Sequence, residues 1–233
     1  MTRKYFPSTN NNARQLLEVL VSPSTASEEY RQAMFGLGKE LGTLILTKIR
    51  SPHSKIYLAC TVEDADFLAK GILDVLETNG FKTPLACFWN QRSNPFGVPG
   101  IQVAPIVQKY REPSDKQIDL LIMVKSIVSG ACVVKTNLKN LIQEIEPQSI
   151  LVVAPVMHSE AEQKLKGEFD RSVYEKFDFI CFAQDDERNS DGEVVPGVGG
   201  IVYDRLGFDG QDGKNRYMPE IVNERMEQQP LSA

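Results

Sequence analysis

Three short segments hold residues able to do chemistry. In the first, an apolar run ends at Val124 and gives way to Lys125-Ser126-Ile127-Val128-Ser129-Gly130-Ala131-Cys132 before a helix-forming stretch begins. A loop between a buried strand and a helix offers backbone N–H groups and a partial positive charge, which stabilise a phosphate without any cationic side chain. Ser129 adds a hydroxyl, Gly130 lets the backbone approach closely, and Ala131 and Cys132 supply further amides. The alternative is a tight strand-to-helix turn with no ligand. In the second, Val195-Pro196-Gly197-Val198-Gly199-Gly200 pairs a stiff entry with glycines whose N–H and C=O groups can meet the edge of a planar base. A plain surface turn would also explain those glycines.

The third segment, Thr61-Val62-Glu63-Asp64-Ala65-Asp66, follows an apolar run and carries three carboxylates. A carboxylate within about 4 Å of a phosphate charge is repelled by roughly 4 kcal/mol at an effective dielectric near 20, unless a metal intervenes. Glu63, Asp64 and Asp66 could build a Mg²⁺ site, or simply favour the positive end of the following helix.

The order of these segments resembles the uracil phosphoribosyltransferases. The stretch Asp186-Glu187, Asn189, Gly192 and Val194 to Gly199, followed by Asp204-Arg205, is similar to that family's nucleobase-binding hood. Ser129-Gly130 matches the threonine-glycine of its phosphoribosyl-phosphate loop, and Thr61 to Asp66 stands where the family receives pyrophosphate. Weaker likenesses lie in Tyr30 to Ile49 and Pro105 to Pro113. The resemblance implies phosphate binding by Ser129, Gly130, Ala131 and Cys132. It implies nucleobase contacts from Val195, Pro196, Gly197, Gly199 and Gly200, and a ribose or pyrophosphate region at Thr61, Glu63 and Asp64. Departures from the pattern are specific: Val124 stands in place of a ribose-binding aspartate, Ala131 and Cys132 replace a glycine and a hydroxyl, Glu63 and Asp64 appear where an arginine is lost, and Glu193 replaces a tyrosine. Losing one charge-assisted hydrogen bond to ribose costs on the order of 1.5–3 kcal/mol.

The elements that must position these residues follow from periodicity. Ala13 to Val21 and Ser27 to Ile49 have helical spacing, and Ser27 is a candidate cap. Lys55 to Thr61, Thr83 to Asn90, Ile101 to Tyr110, Ile118 to Val124, Ser149 to Pro155 and Phe177 to Ala183 read as strands; Asp64 to Leu76, Gly130 to Ile145 and Ser159 to Lys166 read as helices. Apolar strands alternating with helices predict an α/β fold: an open, mostly parallel sheet flanked by helices, with a small hood and a β arm at Gln91 to Gly100. Ligands on such sheets bind at the carboxyl ends of the strands, where Thr61, Val124 and Ala183 precede loops. The expected division is an N-terminal extension over 1–25, a main domain over 26–208 with its hood at 184–208, and a C-terminal tail over 209–233. Part of that tail is expected to be disordered, with a turn at Asp209 to Gly213.

The 233 residues, 42% hydrophobic and 24% charged, suit one domain with a real core. A net charge of -5 argues against a nonspecific nucleic-acid binder, and no apolar run reaches the ~20 residues of a membrane span. The N-terminus lacks a secretory pattern, which makes the cytoplasm the expected location. Cys60, Cys87, Cys132 and Cys181 are isolated, with only His53 and His158 beside them, a poor basis for a zinc site. His158 could face the site or serve the packing.

Two functions compete. One is phosphoribosyl transfer from phosphoribosyl pyrophosphate (PRPP) to a pyrimidine base, with Mg²⁺ as a cofactor if PRPP is used. The other is a catalytically inactive relative that binds a nucleobase or nucleotide as a sensor or regulatory subunit. Either implies a small-molecule ligand, and the family implies a homodimer.

Overall fold

In the computed structural model, which describes residues 3–93 and 103–228, strand β1 (Lys4–Tyr5) precedes helix α1 (Asn11–Val21). The Asn10 side chain caps α1, accepting a hydrogen bond of 2.8 Å from the Ala13 amide. Helix α2 (Ser27–Leu46) buries Leu37, Leu41 and Ile45 on one stripe. Its cap position is Ala26 rather than Ser27. Strand β2 (Ile56–Thr61), buried throughout, runs into a continuous helix made of α3 (Val62–Asp64), a π-helical turn (Ala65–Ala69) and α4 (Lys70–Thr78).

Strands β3 (Leu85–Asn90), β4 (Ile106–Arg111), β5 (Gln117–Val124) and β6 (Ile127–Val128) come next, followed by α5 (Cys132–Leu141). The chain continues through β7 (Glu146–Val153), β8 (Val156–His158), α6 (Ala161–Lys166), α7 (Arg171–Tyr174), β9 (Phe177–Ile180) and β10 (Ala183–Asp185). A hairpin of β11 (Glu187–Arg188) and β12 (Val194–Val195) leads to α8 (Val202–Arg205), α9 (Gly210–Arg216) and α10 (Glu220–Gln228).

The main sheet has the order β4-β3-β2-β5-β7-β9, parallel except for β4 at one edge. Helices α1, α2 and α4 join one apolar core on one side, where Leu17, Leu41 and Ile72 are fully buried; α5 and α6 join another, with Leu138 and Leu165. Crossovers from β2 and from β5 therefore leave in opposite directions, so the strand order switches between these two neighbours. Strands β5, β7 and β9 each pause for two residues and restart as β6, β8 and β10, which form a second sheet in the order β1-β10-β8-β6. The open, mostly parallel α/β architecture expected from the strand pattern is the one observed.

Several boundaries differ. The helix expected over Gly130 to Ile145 is shorter, and the strand expected from Ile101 begins at Ile106, with Ser93 and Val103 bridging the arm's base. Residues 94–102 of that arm lie outside the described residues. The segment expected as an N-terminal extension pairs β1 with β10 and sinks Leu17 and Leu20 into the main core. Of the tail expected to be partly disordered, residues 209–228 form α9 and α10 and residues 229–233 lie outside the described residues; Asp209 to Gly213 opens α9 instead of making an isolated turn. Asp66 is the reason for the second helix: its carboxylate accepts hydrogen bonds from the Glu220 and Ile221 amides at 2.8 and 2.9 Å, satisfying the start of α10, and from the Tyr217 hydroxyl.

Candidate functional site

Three neighbouring strands end at one place. Thr61 closes β2, Asn90 closes β3, and Lys125 follows β5, all at the carboxyl edge and beside the point where the strand order switches. In an open α/β sheet this is where the diverging loops leave a crevice for a ligand.

A buried charge cluster fills it. Lys125 is 3% exposed and lies between two acids from the start of the helix after β2: its Nζ is 2.9 Å from Glu63 Oε1 and 2.8 Å from Asp64 Oδ2. Asp64 also accepts from the Thr61 hydroxyl at 2.7 Å and from the Ser126 amide at 3.1 Å. Burial lowers the Lys125 ammonium, but the charges of Asp64 and Glu63 outweigh it and hold Lys125 above its ordinary value. Burial would likewise raise Glu63; Lys125 and Lys214 prevail and keep its carboxyl at about 2.

Lys214 arrives from the other end of the chain, on α9. It is 2% exposed, donates to the Asn90 carbonyl at 2.7 Å and stands 4.0 Å from Glu63 Oε2. Burial depresses this ammonium, with Glu63 opposing only in part. Glu63 Oε2 itself is buried and has no hydrogen-bond partner. Beneath the cluster, Asn90 and Asn137 exchange side-chain hydrogen bonds of 2.8 and 3.0 Å, tying β3 to α5.

The structure places Thr61, Glu63 and Asp64 around a lysine, Lys125. Lys125 was legible only as an oddity, a charged residue closing an apolar strand, and such a residue needs a partner when buried. Lys214 carried no signal, because its partner lies 151 residues away and no local pattern links them.

The Ser129-Gly130-Ala131-Cys132 turn leads into α5 beside this cluster. Among the described residues no side chain hydrogen-bonds as a cap to α5, whose N-cap is Ala131, and a methyl group at Gly130 would meet nothing within 4 Å. The guanidinium of Arg188 donates to the Ser129 carbonyl, fastening the β11–β12 hairpin to this loop. Burial raises the Cys132 thiol, against the charges of Arg92 and Lys135.

The Val195 to Gly200 turn is fastened internally. The Gly197 amide donates to Asp185 at 2.9 Å, its carbonyl accepts from Arg3, the Val198 carbonyl accepts from the Tyr30 hydroxyl at 2.9 Å, and the Gly199 amide donates to the Pro196 carbonyl at 3.1 Å. Arg3 also grips Asp185 with two hydrogen bonds, of 2.9 and 2.7 Å. Gly199 has a φ of 82°, and a Cβ there would lie 2.0 Å from the Leu20 carbonyl oxygen of α1. Gly200, at φ 113°, faces open space. Of the five residues assigned to a base, Gly200 is the exposed one.

His158 is 4% exposed in β8 and accepts a hydrogen bond from the Glu160 amide at 3.1 Å; burial lowers its ring. It lines a separate cavity of about 350 Å³ near Phe6, Leu44 and Cys181, away from the charge cluster. A wider cleft of about 1140 Å³ lies at the opposite, amino ends of the strands, near Asp119, Ser149 and Lys176.

No protein-family model matches the chain, and no curated protein matches it. Among solved structures, the AQ2163 protein from Aquifex aeolicus superposes with a TM-score of 0.67 at 15% identity, covering 84% of this chain and 94% of that one. At such identity the likeness is one of fold. Looser matches include the hypoxanthine-guanine phosphoribosyl transferase of L. donovani, with a TM-score of 0.42 at 12% identity over 81% of this chain and 88% of that one. Another is a hypothetical protein from Neisseria gonorrhoeae with bound ppGpp, at 0.41 and 13% over 67% and 82%. These two bear on neither the ligand nor the reaction of this chain. The uracil-specific family is a matter of proposal.

Proposed function

We propose that this protein binds a nucleobase or nucleotide at the carboxyl edge of β2 and β5 and does not transfer phosphoribosyl groups, acting as a sensor or regulatory subunit. The observation that carries this reading is Lys125 held between Glu63 and Asp64. Pyrophosphate leaving an activated ribose needs positive charge that is free to follow it. Here the lysine nearest the switch point is already paired with two acids, so its charge is not free to follow a leaving pyrophosphate.

A phosphate at the α5 turn, contacted by Ser129 and the amides of Gly130 to Cys132, is compatible with this reading, with the base toward Val195 to Gly200. Mg²⁺ fits poorly as a resident ion. Glu63 and Asp64 are engaged by Lys125, and among the described residues no group of three or more His, Cys, Asp or Glu side chains could hold a metal. Any Mg²⁺ would enter bound to PRPP. An active uracil phosphoribosyltransferase is the second reading, favoured by the uncapped α5 start. A cytoplasmic homodimer accompanies either reading and is checked by light scattering and fractionation; no described helix is long and apolar enough to cross a membrane.

The deciding experiment titrates the purified protein calorimetrically with uridine and adenosine 5′-monophosphates, then with PRPP and Mg²⁺ with and without uracil, and assays uridine monophosphate formation. Nucleotide binding without product is the expected result. Product formation at enzymatic rates would reverse the assignment to the active enzyme, and absence of any binding would remove the nucleotide ligand.

A further inference from the structure

Glu63 Oε2 and Lys214 Nζ face each other without meeting. They are 4.0 Å apart, beyond hydrogen-bond reach, and the oxygen is buried with no hydrogen-bond partner among the described residues. Leaving a buried carboxylate oxygen unsatisfied is costly, so the pair is one group short of completion. An oxygen placed about 2.8 Å from both atoms would subtend an angle of about 90° at itself, within the range for a group that donates to one neighbour and accepts from the other. The carboxylate can only accept and the ammonium can only donate. The missing group must therefore do both, which suits a hydroxyl and excludes an ionised phosphate oxygen, a carbonyl or an ammonium.

We propose that Glu63 and Lys214 form a hydroxyl-binding pair and that its natural occupant is a sugar hydroxyl of the bound nucleotide. This rests on the nucleotide reading above and adds the chemical group that the site selects. The pair spans two parts of the chain. Glu63 is fixed by its other oxygen, which accepts from Lys125 at 2.9 Å, and Lys214 by the Asn90 carbonyl, so both are aimed before any ligand arrives. Helix α9 is what presents Lys214, and it is anchored at the site's rim, where the Gln211 side chain and the Arg92 backbone exchange hydrogen bonds of 2.7 and 2.9 Å. An ordered water could fill the same gap, and a ligand that merely leaves that water in place would show no preference for a hydroxylated sugar.

The test compares uridine 5′-monophosphate with its 2′-deoxy and 2′,3′-dideoxy analogues by calorimetry on the unaltered protein, and repeats the comparison with Glu63→Gln and Lys214→Met. The expected result is a loss of affinity of roughly tenfold or more on removing the hydroxyl, as for a hydrogen bond to a charged group. That preference should disappear in both variants. Nucleotide binding with no preference for the hydroxyl in the unaltered protein would overturn the proposal alone and assign the gap to water. No binding of any of the three would overturn the nucleotide reading, and this inference with it. Should either variant fail to fold, the analogue series on the unaltered protein still decides.

Discussion

The Lys125 ammonium at the end of β5 lies 2.8 Å from Asp64 Oδ2 at the start of the helix that follows β2, joining the two strands on either side of the switch point. Both groups are almost wholly buried, so the pair has no water to fall back on. The Lys125 charge is thereby committed to protein carboxylates and not left free for an anion.

Lys125→Met is expected to destabilise the protein by about 3–5 kcal/mol, because it strands two buried carboxylates. Adding Glu63→Gln and Asp64→Asn to the same chain should recover a large part of that loss. Chemical denaturation of the single and triple variants checks both; a single variant as stable as the unaltered protein would show that the acids find other partners.

With Glu63 held at about 2 in the folded state and near the usual carboxylate value when unfolded, its contribution is full above about pH 4.5 and is lost as pH falls toward 2. The melting temperature should fall through that window, and fall less steeply for Glu63→Gln. Parallel curves for the two proteins would contradict the assigned protonation.

Gly199→Ala and Gly200→Ala separate packing from conformation. Both glycines have positive φ, but only Gly199 would drive its new carbon into the Leu20 carbonyl at 2.0 Å. Gly200→Ala should cost about 1 kcal/mol for its backbone conformation, and Gly199→Ala about 2–4 kcal/mol through displacement of α1. Urea titration of both gives the comparison, and equal costs would show that α1 yields freely.

Asp66→Ala removes the acceptor for the Glu220 and Ile221 amides and for the Tyr217 hydroxyl. A lost cap is worth about 1–2 kcal/mol, and the loss should appear locally. Hydrogen exchange should quicken in Tyr217 to Gln228 while β2 and β5 keep their protection. Protection unchanged in α10 would mean that Arg225, which pairs with Glu77 and Glu112, suffices to hold it.

Much of the fold was legible because its signals are local. Apolar runs such as Ile118 to Val124 can only be strands covered on both faces, and their alternation with helices leaves a mostly parallel sheet as the economical arrangement. The position of Thr61 and Val124 at carboxyl ends followed from that alone. The order of Asp209 to Gln228 was not legible for the same reason: the stretch is charged and contains glycine, and the carboxylate that caps α10 lies at Asp66, 154 residues earlier.

What the sequence determined by itself was the class of fold and the carboxyl-edge positions of Thr61 and Val124, since strand patterning is a property of neighbouring residues. What only the tertiary structure decided was the charge balance there. Glu63 and Asp64 read as free acids until Lys125 and Lys214 are brought beside them, and the glycines of Val195 to Gly200 read as open until Asp185, Arg3 and Tyr30 occupy their backbone groups. Electrostatic energy depends on separation in space and on burial, and neither is encoded in spacing along the chain.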